Sequence, residues 1–86
     1  MEQLVSIGSY SPDTGVHLEW SHGFQIEVQV HSGEVLIRAN KAGLTSLAQH
    51  LLTLAGDAVP AGTHIHMDAS RELEDTSSDL VVERAI

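Results

Sequence analysis

Cysteine is absent from the 86 residues, which excludes disulfides, thiolate nucleophiles and cysteine-based zinc sites at once. Small secreted domains usually depend on such staples, so a reducing cytoplasm is the expected compartment. Aromatic residues make up only 3% of the chain, and a core therefore has to be built from Leu, Val, Ile and Ala rather than from stacked rings. Basic residues are scarce as well: four Lys and Arg stand against twelve Asp and Glu, a formal net charge of −8 that repels phosphate backbones and disfavours nucleic acid as a partner. No run approaches the ~18 apolar residues of a membrane span. Met1 to Ser6 lack the basic start and apolar stretch of a signal peptide, so no membrane association is expected. There is no Gly-x-Ser-x-Gly elbow and no phosphate-binding loop, which argues against an enzyme; no cofactor is implied.

What is present is enough for one domain over residues 1–86. A chain of this length buries about 60 to 65 per cent of the surface it exposes when unfolded, so one modest core is all it can build. Phe24, Ile26, Val28 and Val30 alternate with Gln25, Glu27 and Gln29, the period of a half-buried strand. His31-Ser32-Gly33 supplies a turn, and Glu34 to Ala39 reads as the returning strand with Val35, Ile37 and Ala39 on one face. Asn40 is placed to cap a helix, and Leu44, Leu47, Ala48, Leu51, Leu52 and Ala55 recur at the spacing of one apolar stripe. Gly56 is a natural C′ residue and Pro60 prevents continuation. Thr63 to Asp68 alternates again around Ile65 and Met67, and Asp79 to Arg84 reads as a final strand.

The expected fold is α+β: a small, mainly antiparallel sheet, ββαββ over residues 24–86, covered on one face by a single helix. Strand order stays open between 1-2-3-4, 2-1-3-4 and 1-2-4-3. In the first 20 residues, Leu4, Val5 and Ile7 suggest an edge strand. Ser11-Pro12-Asp13-Thr14-Gly15 suggests a turn, and Val16, Leu18 and Trp20 alternate after it. One or two further strands are expected there. The uncovered sheet face would carry Gln25, Glu27, Gln29, Leu36, His64 and His66. Leu36 in that company points to occlusion by the N-terminal strands or by a second subunit in a homodimer.

The stretch Arg38 to Leu52, with Gly62-Thr63-His64-Ile65-His66-Met67-Asp68, Leu73-Glu74 and Ser78-Asp79-Leu80-Val81-Val82 after it, resembles bacterial immunity protein family 32. The resemblance covers roughly Phe24 to Arg84. Its most distinctive part is the His-x-His-x-Asp strand and the Leu-Glu pair after a leucine-rich helix. It implies a non-enzymatic protein that binds and neutralises a cognate toxin of bacterial competition. The competing class is a structural or regulatory interaction module with an unrelated partner.

Two clusters carry chemistry. His64 and His66, two apart on a strand, leave the same face about 6 to 7 Å apart, a spacing able to chelate zinc or non-haem iron with Asp68 continuing the row. The same alternation also arises in any one-sided sheet. Asp68, Glu72, Glu74, Asp75 and Asp79 place five acids within twelve residues, interrupted by one base, Arg71. Such a loop could occupy the basic active site of a toxin by imitating substrate charge, or it could simply be solvated. His17, His22, His31 and His50 are expected in turns, on strand edges or on the polar side of the helix, in contact with water.

Overall fold

The computed structural model describes residues 8–11 and 15–86. Leu4, Val5, Ile7 and the Pro12–Thr14 part of the N-terminal turn lie outside the described residues. Within them the order is β1 (Ser9–Ser11), β2 (Gly15–His17), β3 (Ile26–His31), β4 (Glu34–Ala39), α1 (Lys41–Leu54), β5 (His64–Met67) and β6 (Leu80–Glu83). The fold is α+β with the ββαββ core. The strands form three antiparallel two-stranded ladders, β1 with β2, β3 with β4, and β5 with β6. None of the three linear orders expected from the sequence describes the core, and the reason is local. The edge of β3 that β5 or β6 would need is occupied by the loop before β6, whose Glu74 N–H donates to Ile26 O and Ser78 N–H to Val28 O, both at 2.8 Å.

The β3–β4 hairpin closes through Ser32 and Gly33, at φ 49° and 82°. Positive φ at both central residues gives the two-residue turn that matches strand twist, with His31 opposite Glu34. One residue beyond β4, Asn40 serves three partners. Its Oδ1 accepts from Gly43 N (2.8 Å) and Gln25 N (3.0 Å), and its Nδ2 donates to Gly23 O (3.0 Å). The side chain thus caps α1 and fastens it to the start of β3.

That short connection sets the rotation of α1, and the rotation differs from the one the leucine stripe suggests. The inward face carries Gly43, Ser46, Gln49, His50, Thr53 and Leu54, whereas Leu44, Leu51 and Leu52 are 55%, 52% and 44% exposed. At Gly43 the helix lies so close to the hairpin that a Cβ would sit 2.4 Å from Gln25 O and 3.0 Å from both the Ile26 Cγ1 and the Ala39 Cβ. Only the small-residue face fits there. The inward hydroxyls are satisfied: Ser46 Oγ accepts from Ser21 N (2.9 Å) and donates to Ala42 O, and Thr53 Oγ1 accepts from Gly8 N (2.8 Å) and donates to Gln49 O.

The helix ends where expected, with Gly56 at the C′ position, but without a left-handed cap. Ala55 caps it in the right-handed region, at φ −78° and ψ −3°, and Gly56 takes no positive φ. Arg84 closes the end instead, its Nη1 donating to Leu54 O (2.7 Å) and Gly56 O (2.9 Å), so a cation meets the negative end of the helix dipole. The core gathers Ile26, Val28, Leu54, Val59, Ile65, Met67 and Leu73, with Leu18, Trp20 and Phe24 packed against it. Leu18 and Trp20 do so from outside β2, which is shorter than the alternating run from Val16 to Trp20 suggests.

Candidate functional site

The five acids of the candidate site all lie between the start of the β5–β6 connection and the start of β6. Several contacts hold this connection. Leu73 is buried at 4% exposure, and Asp68 O accepts from both Arg71 N (3.2 Å) and Leu73 N (3.0 Å). Farther along, Ser77 Oγ accepts from Val28 N at 3.1 Å, so the connection runs beside β3 like an irregular extra strand.

Within the loop the acids fall into different environments. Asp68 and Glu72 are half-buried and turned towards Arg71, whose Nε lies 3.4 Å from Asp68 Oδ2 and 3.9 Å from Glu72 Oε1. The Ser70 hydroxyl donates to Asp68 Oδ1 and holds that carboxyl below its ordinary range against the opposing effect of burial. The Ser70 N–H, Arg71 and His66 act in the same direction. Arg71 therefore offsets part of the charge of the first part of the loop. Glu74 and Asp75 are exposed, and their carboxylates have no ion-pair or hydrogen-bond partner among the described residues. Asp79 is exposed and sits 3.1 Å from His66 Nε2.

On β5 the alternation is as read from the sequence: Ile65 and Met67 are buried, His64 and His66 exposed. His64 Nδ1 contacts Gly62 O at 3.2 Å, while His66 faces Asp79 across the ladder end. Among the described residues no three His, Asp or Glu side chains are grouped so as to hold a metal ion.

His50 is a correction. Rather than meeting water on the polar side of the helix, it is 2% exposed and packs edge-on against Trp20, with ring centroids 4.2 Å apart. Neither ring nitrogen has a hydrogen-bond partner among the described residues, and burial pushes its pKa below 6.5 against a smaller, opposite influence of Glu72. Its position ten residues after Asn40 offers no signal by itself; the rotation of α1 decides it. His17, His22 and His31 are exposed as expected.

An open depression of about 260 Å³ places Glu74 beside Glu27 and Arg38 at the hairpin end nearest α1. The acidic loop and the hairpin thus share one surface. Comparison with family models finds a match to Immunity protein 32 over residues 34–85, from β4 through α1 and the acidic loop to the end of β6. No curated protein and no solved structure matches the chain.

Proposed function

This chain belongs to the immunity protein 32 family, and we propose that it binds and neutralises a cognate bacterial toxin through the exposed part of its acidic loop. The observation that carries the reading is the unpaired pair Glu74 and Asp75, held outward on a connection that is anchored at Leu73 and Ser77. A rigidly seated acidic segment on a protein of net charge −8 suits a toxin with a basic active site, because it speeds encounter and meets that site with little ordering left to do. Asp79 extends the surface. Asp68 and Glu72 contribute less, since Arg71 already engages them. Nothing in this role requires catalysis by the chain itself, and the cytoplasm is where such a protein would meet its toxin.

The immunity reading expects a toxin gene beside the gene for this protein, and the test is co-expression with the C-terminal domain of that toxin. Wild-type protein should restore growth, and reversal of Glu74 and Asp75 to Lys should abolish protection while leaving the far-UV circular dichroism intact. No protection by the wild type would end the immunity reading; full protection by the reversed variant would end only the acidic-loop mechanism. The exposed His64 and His66 give the metal reading its own assay. On that reading alone, tag-free protein would retain close to one equivalent of transition metal that is lost in the His64→Ala, His66→Ala variant; metal content near zero without zinc uptake would refute it.

A further inference from the structure

Among the described residues, nothing pairs with the outer edge of β4. Every residue from Glu34 to Arg38 is exposed, with Val35 at 63%, Leu36 at 51% and Ile37 at 41%, a composition that natural proteins seldom leave on an unpaired edge. The hydrogen-bonding phase of this edge is set by the other side of the hairpin. Ile26 O and Val28 O accept from the acidic loop, so at these positions the β3 backbone points away from β4. In an antiparallel ladder the residues opposite them, Ala39 and Ile37, and by alternation Val35, then point their N–H and C=O groups away from β3. Among the described residues nothing accepts or donates there.

We propose that β4 pairs with β4 of a second copy of this chain, antiparallel across a two-fold axis through Leu36. The outward phase at 35, 37 and 39 restricts the registers available. With Leu36 on the axis, Val35 of each copy exchanges backbone hydrogen bonds with Ile37 of the other, and Glu34 lies directly opposite Arg38. Both of these charged side chains are exposed and have no ion-pair partner within the protomer among the described residues. The segment Glu34-Val35-Leu36-Ile37-Arg38 is therefore self-complementary in charge as well as in backbone phase, which a like-charged protective edge would not be.

The result is a four-stranded sheet, β3-β4-β4-β3. Because the axis is perpendicular to the sheet, both α1 helices stand on the same face, the face of Ile26 and Ala39 against which Gly43 packs. Val35 and Ile37 of both copies then form one apolar strip on that face, and the acidic loops lie at the two outer edges, away from the axis. Dimerisation thus leaves the proposed toxin-binding surface open.

Charge exchange tests the register. Sedimentation equilibrium of the full chain at high micromolar concentration should show a species of twice 9.2 kDa. Glu34→Arg and Arg38→Glu should each weaken self-association roughly tenfold or more, since each sets two like-charged pairs across the axis. An equimolar mixture of the two variants should restore the dimer as a heterodimer, a recovery that a folding defect in either would not give. A wild-type chain that stays at 9.2 kDa overturns the proposal, whatever else uses this edge. So does a dimer indifferent to both substitutions, or a mixture that fails to recover.

Discussion

The two edges of the β3–β4 hairpin carry almost the same kind of strand and have opposite fates. On β3, Ile26 and Val28 are buried at 0% and 1% exposure in the core that also holds Leu73, and the acidic loop bonds to their carbonyls along the strand edge. On β4, their cross-strand partners Ala39 and Ile37 are half-buried and exposed, with no segment of the described chain alongside. The difference lies in the connecting segments rather than in the strands themselves. A connection of twelve residues between β5 and β6 is long enough to return along β3, whereas β4 passes through Asn40 directly into α1. One edge is thereby made into a platform for acids, and the other is left, among the described residues, without a backbone partner inside the protomer.

The strongest way to break this contrast is to remove the anchor of the covered edge. Leu73→Ala should destabilise the fold by about 2 to 5 kcal/mol in urea unfolding, the range for deleting a buried leucine. Leu36→Ala on the bare edge, measured at concentrations low enough to suppress association, should change stability by under about 1 kcal/mol, since exposed positions respond weakly. Equal effects at the two sites would mean that the two edges are not as different as their burial indicates.

Ser77→Ala is subtler. It removes the hydroxyl that accepts from the buried Val28 N–H, and leaving such a donor unpaired costs about 1 to 3 kcal/mol. Faster hydrogen exchange at the Val28 amide should accompany the loss; an unchanged exchange rate and midpoint would detach the loop from β3.

Much of this arrangement is legible in the residues. The period of two in Ile26 to Val30 and Val35 to Ala39 gives the hairpin, Ser32-Gly33 its turn, and Asn40 the helix start, because each depends on chemistry within a few positions. The rotation of α1 is not legible in the same way. Hydrophobic spacing favours the face of Leu44, Leu51 and Leu52, but the close approach at Gly43 and the hydroxyl contacts of Ser46 and Thr53 with distant backbone select the other face. These are tertiary constraints that no local pattern encodes. The candidate acids are legible as a cluster; that Arg71 engages Asp68 and Glu72 and leaves Glu74 and Asp75 free depends on the loop geometry.

The same rotation makes stability depend on pH. Burial holds the His50 pKa below 6.5 in the folded chain, so the unfolded chain takes up the proton first. The associated stability is fully present above pH 6.5 and is lost as pH falls below it towards the lowered folded value. Thermal unfolding measured between about pH 8 and 5 should show a decline that flattens in His50→Leu, with the carboxylates outside their titration range over most of that window. A slope identical in the two proteins would place the pH sensitivity elsewhere.

Reversal of Glu74 and Asp75 to Lys should leave urea stability within about 0.5 kcal/mol of the wild type, because both side chains are exposed and unpaired. The central claim is that these two carboxylates, on the covered edge, meet the toxin. Isothermal titration of the cognate toxin domain into wild-type and doubly reversed protein, at two salt concentrations, tests it most directly. Two close charge pairs at the lower end of their usual worth, about 1.5 kcal/mol each, predict at least a roughly hundredfold loss of affinity and a weaker salt dependence in the variant. Equal affinities and equal salt dependence in two folded proteins would contradict it.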